Sequence, residues 1–190
     1  MQIFVNERVV GSLAPAGATV GEILEAVRMH VDPEAIVTEV ELDGSHYNAG
    51  EEERFARRAA SSVQRLTVRT ETAGEFVGRK RAELAGTLGA MAASLREVAR
   101  RFRRREEEAA NRLLASAMEE LRLVLLLEER LTQLSGHGAL PQDQGLEGVA
   151  KDLLDAEERR AWEQLAGLLE GALAPMLERW SAAVGRTGGD

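Results

Sequence analysis

Side chains that commonly carry out chemistry are sparse in this chain. His30, His46 and His137 fall at a predicted helix end, a turn and a loop, without the spacing of metal ligands. The chain has no cysteine, which excludes disulfides and thiolate chemistry and fits a reducing compartment. It also lacks a nucleophile motif, a phosphate-binding loop and a dinucleotide fingerprint. We therefore predict a protein that is not an enzyme and that uses no metal or cofactor.

The densest charges form an arginine cluster, defined as residues 100–105. Residues 76–105 carry 9 basic and 2 acidic side chains, whereas the whole chain has a net charge of −8. Two interpretations follow, neutralisation by acidic helices or a footprint for RNA or DNA. We favour neutralisation, because phosphate binding usually needs a basic face free of carboxylates. Local i,i+4 pairing of Arg103 with Glu107 and of Arg104 with Glu108 would contribute to it.

The first 70 residues read as strands around one helix. Alternating apolar residues predict strands at 2–6, 8–13, 36–42 and 65–70, with tight turns at Asn6-Glu7 and Asp43-Gly44. Thr19 and Glu22 have the spacing of a capping box. An amphipathic helix is predicted over 19–31, and a short helical turn within 51–58.

This order of elements resembles the β-grasp, ubiquitin-like fold, and residues 1–5 are identical to the opening of ubiquitin. The resemblance implies a β-grasp domain over 1–72, and its predicted core is Ile3, Val5, Ile23, Leu24, Val27, Val40, Leu42, Leu66 and Val68. Ubiquitin-like modifiers end their last strand in Gly-Gly. Here the last strand continues into a helix, and Gly188-Gly189 lies at the far end before Asp190. The resemblance makes a modifier or carrier protein an alternative function, although the Gly-Gly pair does not follow the last strand.

The remainder, 73–190, is predicted to be helical, with helices at about 74–103, 106–134 and 151–184. The first has a narrow apolar stripe of Leu84, Leu88, Met91, Leu95, Val98 and Phe102. A single helix over 76–134 would be roughly 90 Å long, so we predict a break at Arg103–Glu107. The fold class is α+β, an N-terminal β-grasp domain followed by a mainly helical three-helix antiparallel bundle.

Three features of these helices predict packing. Gly86 and Gly89 indicate a close approach to another element, for which the N-terminal domain is the nearest candidate. The helix at 106–134 is apolar over more than half its circumference, so we expect it to be central and buried on two sides. Pro175 lies inside the last helix and predicts a bend. The bend either follows the curvature of the bundle or opens a groove for a partner.

These features predict a non-catalytic protein–protein interaction or adaptor protein. Its helix size and acidity resemble those of secretion and flagellar export chaperones, so the partner is a client helix or a second copy, with a homodimer favoured. RNA binding through the arginine cluster is a further alternative that we do not expect. No apolar run approaches the ~20 residues of a membrane span, and we expect a cytoplasmic protein. The predicted partner-binding residues are Leu121, Leu125, Trp162, Leu165, Leu169, Leu173, Met176 and Trp180.

Overall fold

The computed structural model describes residues 1–10, 17–32, 34–46, 52–138, 140 and 145–187. The chain is α+β and divides into two compact units, Met1–Phe76 and Val77–Asp190. The sequence placed this boundary between residues 72 and 73. Helix α3, Ala73–Arg103, begins in the first unit and continues through the second. Within the described residues, no helix is both long and apolar enough to cross a bilayer.

The N-terminal unit contains a five-stranded sheet. Its strands are β1 Gln2–Val5, β2 Arg8–Val9, β3 Ala35–Leu42, β4 Ser45–His46 and β5 Arg65–Thr72. The order across the sheet is β2-β1-β5-β3-β4, with β5 parallel to β1 and antiparallel to β3. Two α-helices, α1 Val20–His30 and α2 Glu52–Ala56, and a 3₁₀ turn at Ala60–Ser62 complete the unit. Strand β2 is shorter than the predicted 8–13, and residues 11–13 lie outside the described residues.

Both predicted hairpin turns are present. Asn6 and Glu7 have φ of 46° and 66°, and Asp43 and Gly44 have φ of 51° and 80°. Positive φ at both central residues is the type I′ signature, whose twist matches that of the flanking strands. The Asp43 carboxylate also accepts hydrogen bonds from the amides of residues 64 and 65, at 2.9 and 2.8 Å. This turn is thereby fastened to the start of β5.

The core of the N-terminal unit lies between the sheet and α1. The capping box of α1 is formed as predicted, with Glu22 accepting from the Thr19 amide at 2.8 Å. Six of the predicted core residues are buried, and three are partly buried against them (buried: Ile3, Ile23, Val27, Leu42, Leu66 and Val68; partly buried: Val5, Leu24 and Val40). The regular alternation predicted along β3 is interrupted by a bulge between Val37 and Glu39. Val37 and Val40 consequently pack on the same core.

The helical unit contains one more helical segment than the sequence predicted. After α3 come α4 Glu107–Ser135, α5 Gly145–Glu158, α6 Trp162–Leu168, a π turn at Leu169–Leu173, and α7 Ala174–Thr187. The single helix predicted over 151–184 is wrong, because the chain begins a helix at Gly145 and interrupts it after Glu158. Within the described residues, the three-helix arrangement is therefore replaced by α3, α4, α5 and a continuous C-terminal segment of α6, the π turn and α7.

Two helix ends share one unusual feature, an arginine in the left-handed region. Arg160 has φ 53° after α5, where the Ala161 amide donates to the Ala156 carbonyl at 2.8 Å. Arg105 has φ 62° after α3, where the Glu106 amide donates to the Arg101 carbonyl at 3.0 Å. These six-residue bonds are the Schellman closure of a helix end. The break predicted at Arg103–Glu107 is confirmed.

Helix α3 packs its small residues against α7. The predicted stripe of α3 is buried throughout. A Cβ at Gly89 would lie 3.8 Å from Ser181 Oγ, and that hydroxyl donates to the Ala85 carbonyl at 2.7 Å. The close approach expected from Gly89 is therefore to α7 and not to the N-terminal domain. At Gly86 an added Cβ would meet no described atom within 4 Å, so close packing does not explain that glycine.

The predicted bend near Pro175 coincides with the π turn. The Ala174 amide donates to the carbonyl of Leu169, five residues earlier. A proline ring clashes with the carbonyl four residues before it, here that of Gly171. Widening the preceding turn relieves this clash, and π turns are a recognised cause of helix kinks.

Candidate functional site

Most of the predicted partner-binding residues are buried in the core of the helical unit. Leu121, Leu165, Leu169, Leu173, Met176 and Trp180 are all buried. Leu125 and Trp162 are half-buried, and Trp162 stacks on Phe102 with ring centroids 5.2 Å apart. The stripe of α6 and α7 is thus the core of the unit. It cannot be the open interaction surface that its sequence suggested.

The open apolar surface lies instead on α4. Most of the large apolar side chains that are exposed in the described residues belong to this helix, namely Leu113, Leu123, Leu126, Leu127 and Leu134. Their exposed fractions run from 37% to 52%. The prediction that α4 would be buried on two sides is therefore wrong. One face packs into the unit through Ala110, Leu114, Ala117, Leu121, Val124 and Leu131, and the adjacent face is open.

The open surface has helical periodicity, and we call it the α4 seam. Residues 113, 116, 120, 123, 127, 130 and 134 recur at alternating spacings of three and four, and all are exposed. At 100° per residue they fall within one narrow stripe. Leucine occupies positions 113, 123, 127 and 134, and the others are Ser116, Glu120 and Arg130. Leu126 lies beside the stripe.

A second feature of the unit is a cavity of about 370 Å³ between α4 and α5. Its walls are mainly apolar, with Leu114, Met118 and Leu153 among them. Of the predicted partner-binding residues, it brings together Leu121, Leu165 and Leu173. Glu157 and Asn111 supply the polar lining. Asn111 Oδ1 is buried and has no hydrogen-bond partner among the described residues, which leaves one acceptor free at the cavity.

Glu157 belongs to the last turn of α5, and Asn111 belongs to the first turns of α4. Trp162 follows the end of α5 closely and stacks on Phe102 near the end of α3. Because α4 begins only a few residues after Phe102, the C-terminal end of α5 lies beside the N-terminal end of α4. The cavity lining thus combines two polar residues with a mainly apolar remainder, which suits a small amphiphilic molecule.

A buried ion pair connects α3 to α4. The Arg81 guanidinium donates to both carboxylate oxygens of Glu128, at 3.1 and 3.4 Å, and both side chains are only 5% exposed. Arg81 also donates to Ser135 Oγ at 3.3 Å and to the His137 carbonyl. Glu128 further accepts from Thr132 Oγ1 at 3.2 Å. The pair closes the hairpin of α3 and α4 and holds the residues that follow α4, so it is structural.

The arginine cluster is largely neutralised by carboxylates. Arg100 and Arg101 both pair with Glu97, at 2.9 and 3.1 Å. The hydrogen bond from Arg100 is the main cause that lowers the pKa of Glu97. Arg103 reaches across to the C-terminal segment, where it contacts Glu170 of the π turn at 2.6 Å and Glu163 of α6 at 3.4 Å.

The local pair predicted between Arg103 and Glu107 is absent among the described contacts, because the chain turns at Arg105 and the i,i+4 geometry is lost. The hydrogen bond to Glu170 is instead the main cause that raises the pKa of Arg103. The pair predicted between Arg104 and Glu108 is likewise absent from the described part of the chain, where Glu108 pairs with Arg112 at 2.8 Å.

The sheet brings together three polar side chains whose proximity was not predicted from the sequence. His46 Nδ1 lies 2.9 Å from Glu39 Oε1 and 3.6 Å from Glu41 Oε1. The three ligand atoms lie within 4.8 Å of one another, a spacing that could hold a divalent cation. Glu39 is also paired with Arg69 at 3.1 Å, which competes with a cation. The hairpin register, with Glu41 opposite His46, follows from the two-residue turn at Asp43-Gly44 and was available from the sequence.

Comparison with known proteins identifies a family over the helical part of the chain. Residues 82–183 match the domain of unknown function DUF8042. The match covers more than half of the chain, from α3 to α7, and the chain belongs to this family. No curated protein and no solved structure matches it.

Proposed function

We propose that this DUF8042 member is a non-catalytic interaction protein that binds another protein helix along the α4 seam. The observation that carries the proposal is the open row of leucines on a helix whose adjacent face is already packed into the unit. Soluble proteins seldom expose contiguous apolar surface unless it is an interaction site. A helix with one packed and one open apolar stripe is suited to receive a second helix.

The proposal is tested by placing a photo-crosslinking amino acid at Leu123 in the full chain, expressed in its native cell. The matched control places the same group at Glu129, which is exposed on the same helix but off the seam. We expect a discrete cross-linked protein band from position 123 that is absent from position 129. Equal labelling at both positions, or none at either, would refute the proposal.

We also propose a β-grasp fold for the N-terminal unit. The support is the strand order β2-β1-β5-β3-β4 with a central parallel pair, together with α1 packed on the sheet. A modifier or carrier function has less support. β5 runs directly into α3, and Gly188-Gly189 lies outside the described residues. We propose a cytoplasmic location, with which the lack of cysteine in the sequence is consistent.

RNA binding through the arginine cluster is the other alternative, and the ion pairs of Arg100, Arg101 and Arg103 argue against it. Changing Arg103, Arg104 and Arg105 to Gln tests it. We expect no detectable RNA binding at low salt before or after the change. A micromolar, steeply salt-dependent affinity that is lost in the variant would establish the alternative.

Binding of a small amphiphile is a second candidate function, favoured by the free acceptor of Asn111 at the α4–α5 cavity. A ligand with one hydroxyl donor and an aliphatic tail would satisfy that oxygen and fill the apolar part of the cavity. Titration calorimetry with 1-octanol tests it, and Asn111→Leu should remove the binding. An affinity that is unchanged by this substitution would show that the alcohol binds elsewhere.

A further inference from the structure

We infer that the partner on the α4 seam is a second copy of the same chain, packed antiparallel about a two-fold axis near residue 125. This inference rests on the proposed function and names its partner. The order of residues along the seam supports this inference. When two copies of the seam run in opposite directions, leucine faces leucine at the centre and Glu120 faces an arginine.

The spacing of the seam makes it a coiled-coil surface. In heptad terms, positions 113, 120, 127 and 134 are a positions, and 116, 123 and 130 are d positions. In an antiparallel pair of helices, each a residue packs in the same layer as a d residue of the partner, and each knob fills a hole on the facing helix.

Centring the two-fold axis near residue 125 fixes the layers. Leu127 then faces Leu123 of the partner subunit in the central layers, and Leu134 faces Ser116 of the partner subunit at the outer ones. The outer layers thus set a large side chain opposite a small one. Leu126 lies beside the two-fold axis, next to Leu126 of the partner subunit. The dimer would therefore bury this leucine, which is exposed in the single chain although it lies just off the seam.

The two charged residues of the seam decide the orientation. In the antiparallel register Glu120 faces Arg130 of the partner subunit, and by symmetry this pair occurs twice. Within the described part of the chain neither residue forms another ion pair, and both are exposed. Arg130 donates to the Gln133 side chain at 2.9 Å, a neutral contact that leaves its charge unbalanced.

A parallel pairing of the same seams would be repulsive. It would place Glu120 against its own copy and Arg130 against its own copy, since a faces a and d faces d in parallel coiled coils. Opposed like charges select against that arrangement. A two-fold interface requires that residue i contacts j while j contacts i, and the reversed Glu and Arg positions meet this condition.

The first test is sedimentation of the full chain at micromolar concentration. We expect a dimer for the parent chain. Glu120→Arg and Arg130→Glu should each raise the dissociation constant at least tenfold, because each change opposes like charges twice. The double variant E120R/R130E should restore the dimer. The matched control Glu129→Arg makes the same charge change off the seam and should leave the dimer intact.

The orientation is tested by disulfide trapping, for which the absence of native cysteine is an advantage. Ser116→Cys chains mixed with Leu134→Cys chains should give a mixed disulfide under mild oxidation. Neither variant alone should cross-link efficiently. A homodisulfide of the Ser116→Cys chain would show a parallel register and overturn the inference.

The remaining outcomes separate the failure of this inference from the failure of the proposed function. A monomer in sedimentation that still yields a cross-linked band of a different protein from position 123 retains the proposed function and refutes the homodimer. A dimer that is unaffected by Glu120→Arg and Arg130→Glu refutes the seam as the dimer interface. A monomer without any cross-link from position 123 refutes both.

Discussion

The buried pair of Arg81 and Glu128 allows a quantitative test of how the helical unit is held together. Replacing Arg81 with Met keeps an unbranched side chain of similar reach and removes the charge. The Glu128 carboxylate then stays buried without its guanidinium. Losing one partner of a buried pair costs about 3–5 kcal/mol. A domain of this size is stabilised by roughly 5–15 kcal/mol, so the loss is a large fraction of the total.

Urea unfolding followed by tryptophan fluorescence measures this effect. Both tryptophans of the chain, Trp162 and Trp180, lie in the helical unit, so the signal reports on that unit and not on the sheet. With an m value of about 1–3 kcal/mol per molar urea, the midpoint should fall by at least ~1 M. The double variant Arg81→Met/Glu128→Leu should recover most of the loss, because an apolar pair restores a neutral core. Recovery is incomplete because Ser135 and His137 also lose their donor.

Arg122→Met is the matched control for this experiment. Arg122 pairs with Glu119 at 2.7 Å, but their side chains are 63% and 59% exposed. Exposed pairs contribute about 0–1 kcal/mol, so the same substitution should barely move the midpoint. Two results would contradict a stabilising role for the buried pair. One is an Arg81→Met midpoint as high as that of Arg122→Met, and the other is a double variant with a lower midpoint than either single variant.

Three further predictions concern other parts of the molecule. Arg160→Gly should stabilise the helical unit by about 1 kcal/mol, because glycine relieves the left-handed strain at the end of α5; a lower urea midpoint would contradict this. Val27→Asp should unfold the N-terminal unit, since a buried unpaired carboxylate is costly. Amide hydrogen exchange should show lost protection in the sheet, while the tryptophan signal stays native. Glu178→Gln should lower stability at neutral pH and lose its effect in acid. The hydrogen bond from Arg96 lowers the pKa of Glu178, so its contribution is present above the ordinary glutamate pKa and disappears as the pH falls through the lowered folded-state value; a difference that persists in acid would exclude the ion pair as its cause.

Local signals in the sequence were sufficient for much of the N-terminal unit. The capping box at Thr19 and the turns at Asn6 and Asp43 each depend on residues within a few positions of one another. The same reasoning would have found the capping box that starts α3, where Glu75 accepts from the Thr72 amide at 2.9 Å. The bulge in β3 could not be found in this way. It depends on the pairing of β3 with β5, whose residues Thr70 and Arg69 lie opposite Val37 and Glu39 at the bulge.

The helical unit was harder to predict for two physical reasons. The end of α5 is closed by Arg160 in a conformation that usually calls for glycine, so the usual stop signal is absent. The apolar pattern of α4 shows how many faces could be buried, but not how many have a partner within the chain. The other leucines of α4 were therefore assigned to the core, whereas Leu121, Leu125 and the residues from Trp162 to Trp180 were assigned to the partner surface. The structure reverses both assignments.

The position of β5 has a consequence for how the protein is made. It is the middle strand of the sheet, between β1 and β3, yet it is the last of the five to leave the ribosome. Until residues 65–72 emerge, the hairpin of β1 and β2 and the hairpin of β3 and β4 have no strand between them. In nascent chains that end before residue 65, the apolar face of α1 therefore has no complete sheet to pack against. Because β5 continues directly into α3, the strand that completes the sheet also leads into the first helix of the helical unit.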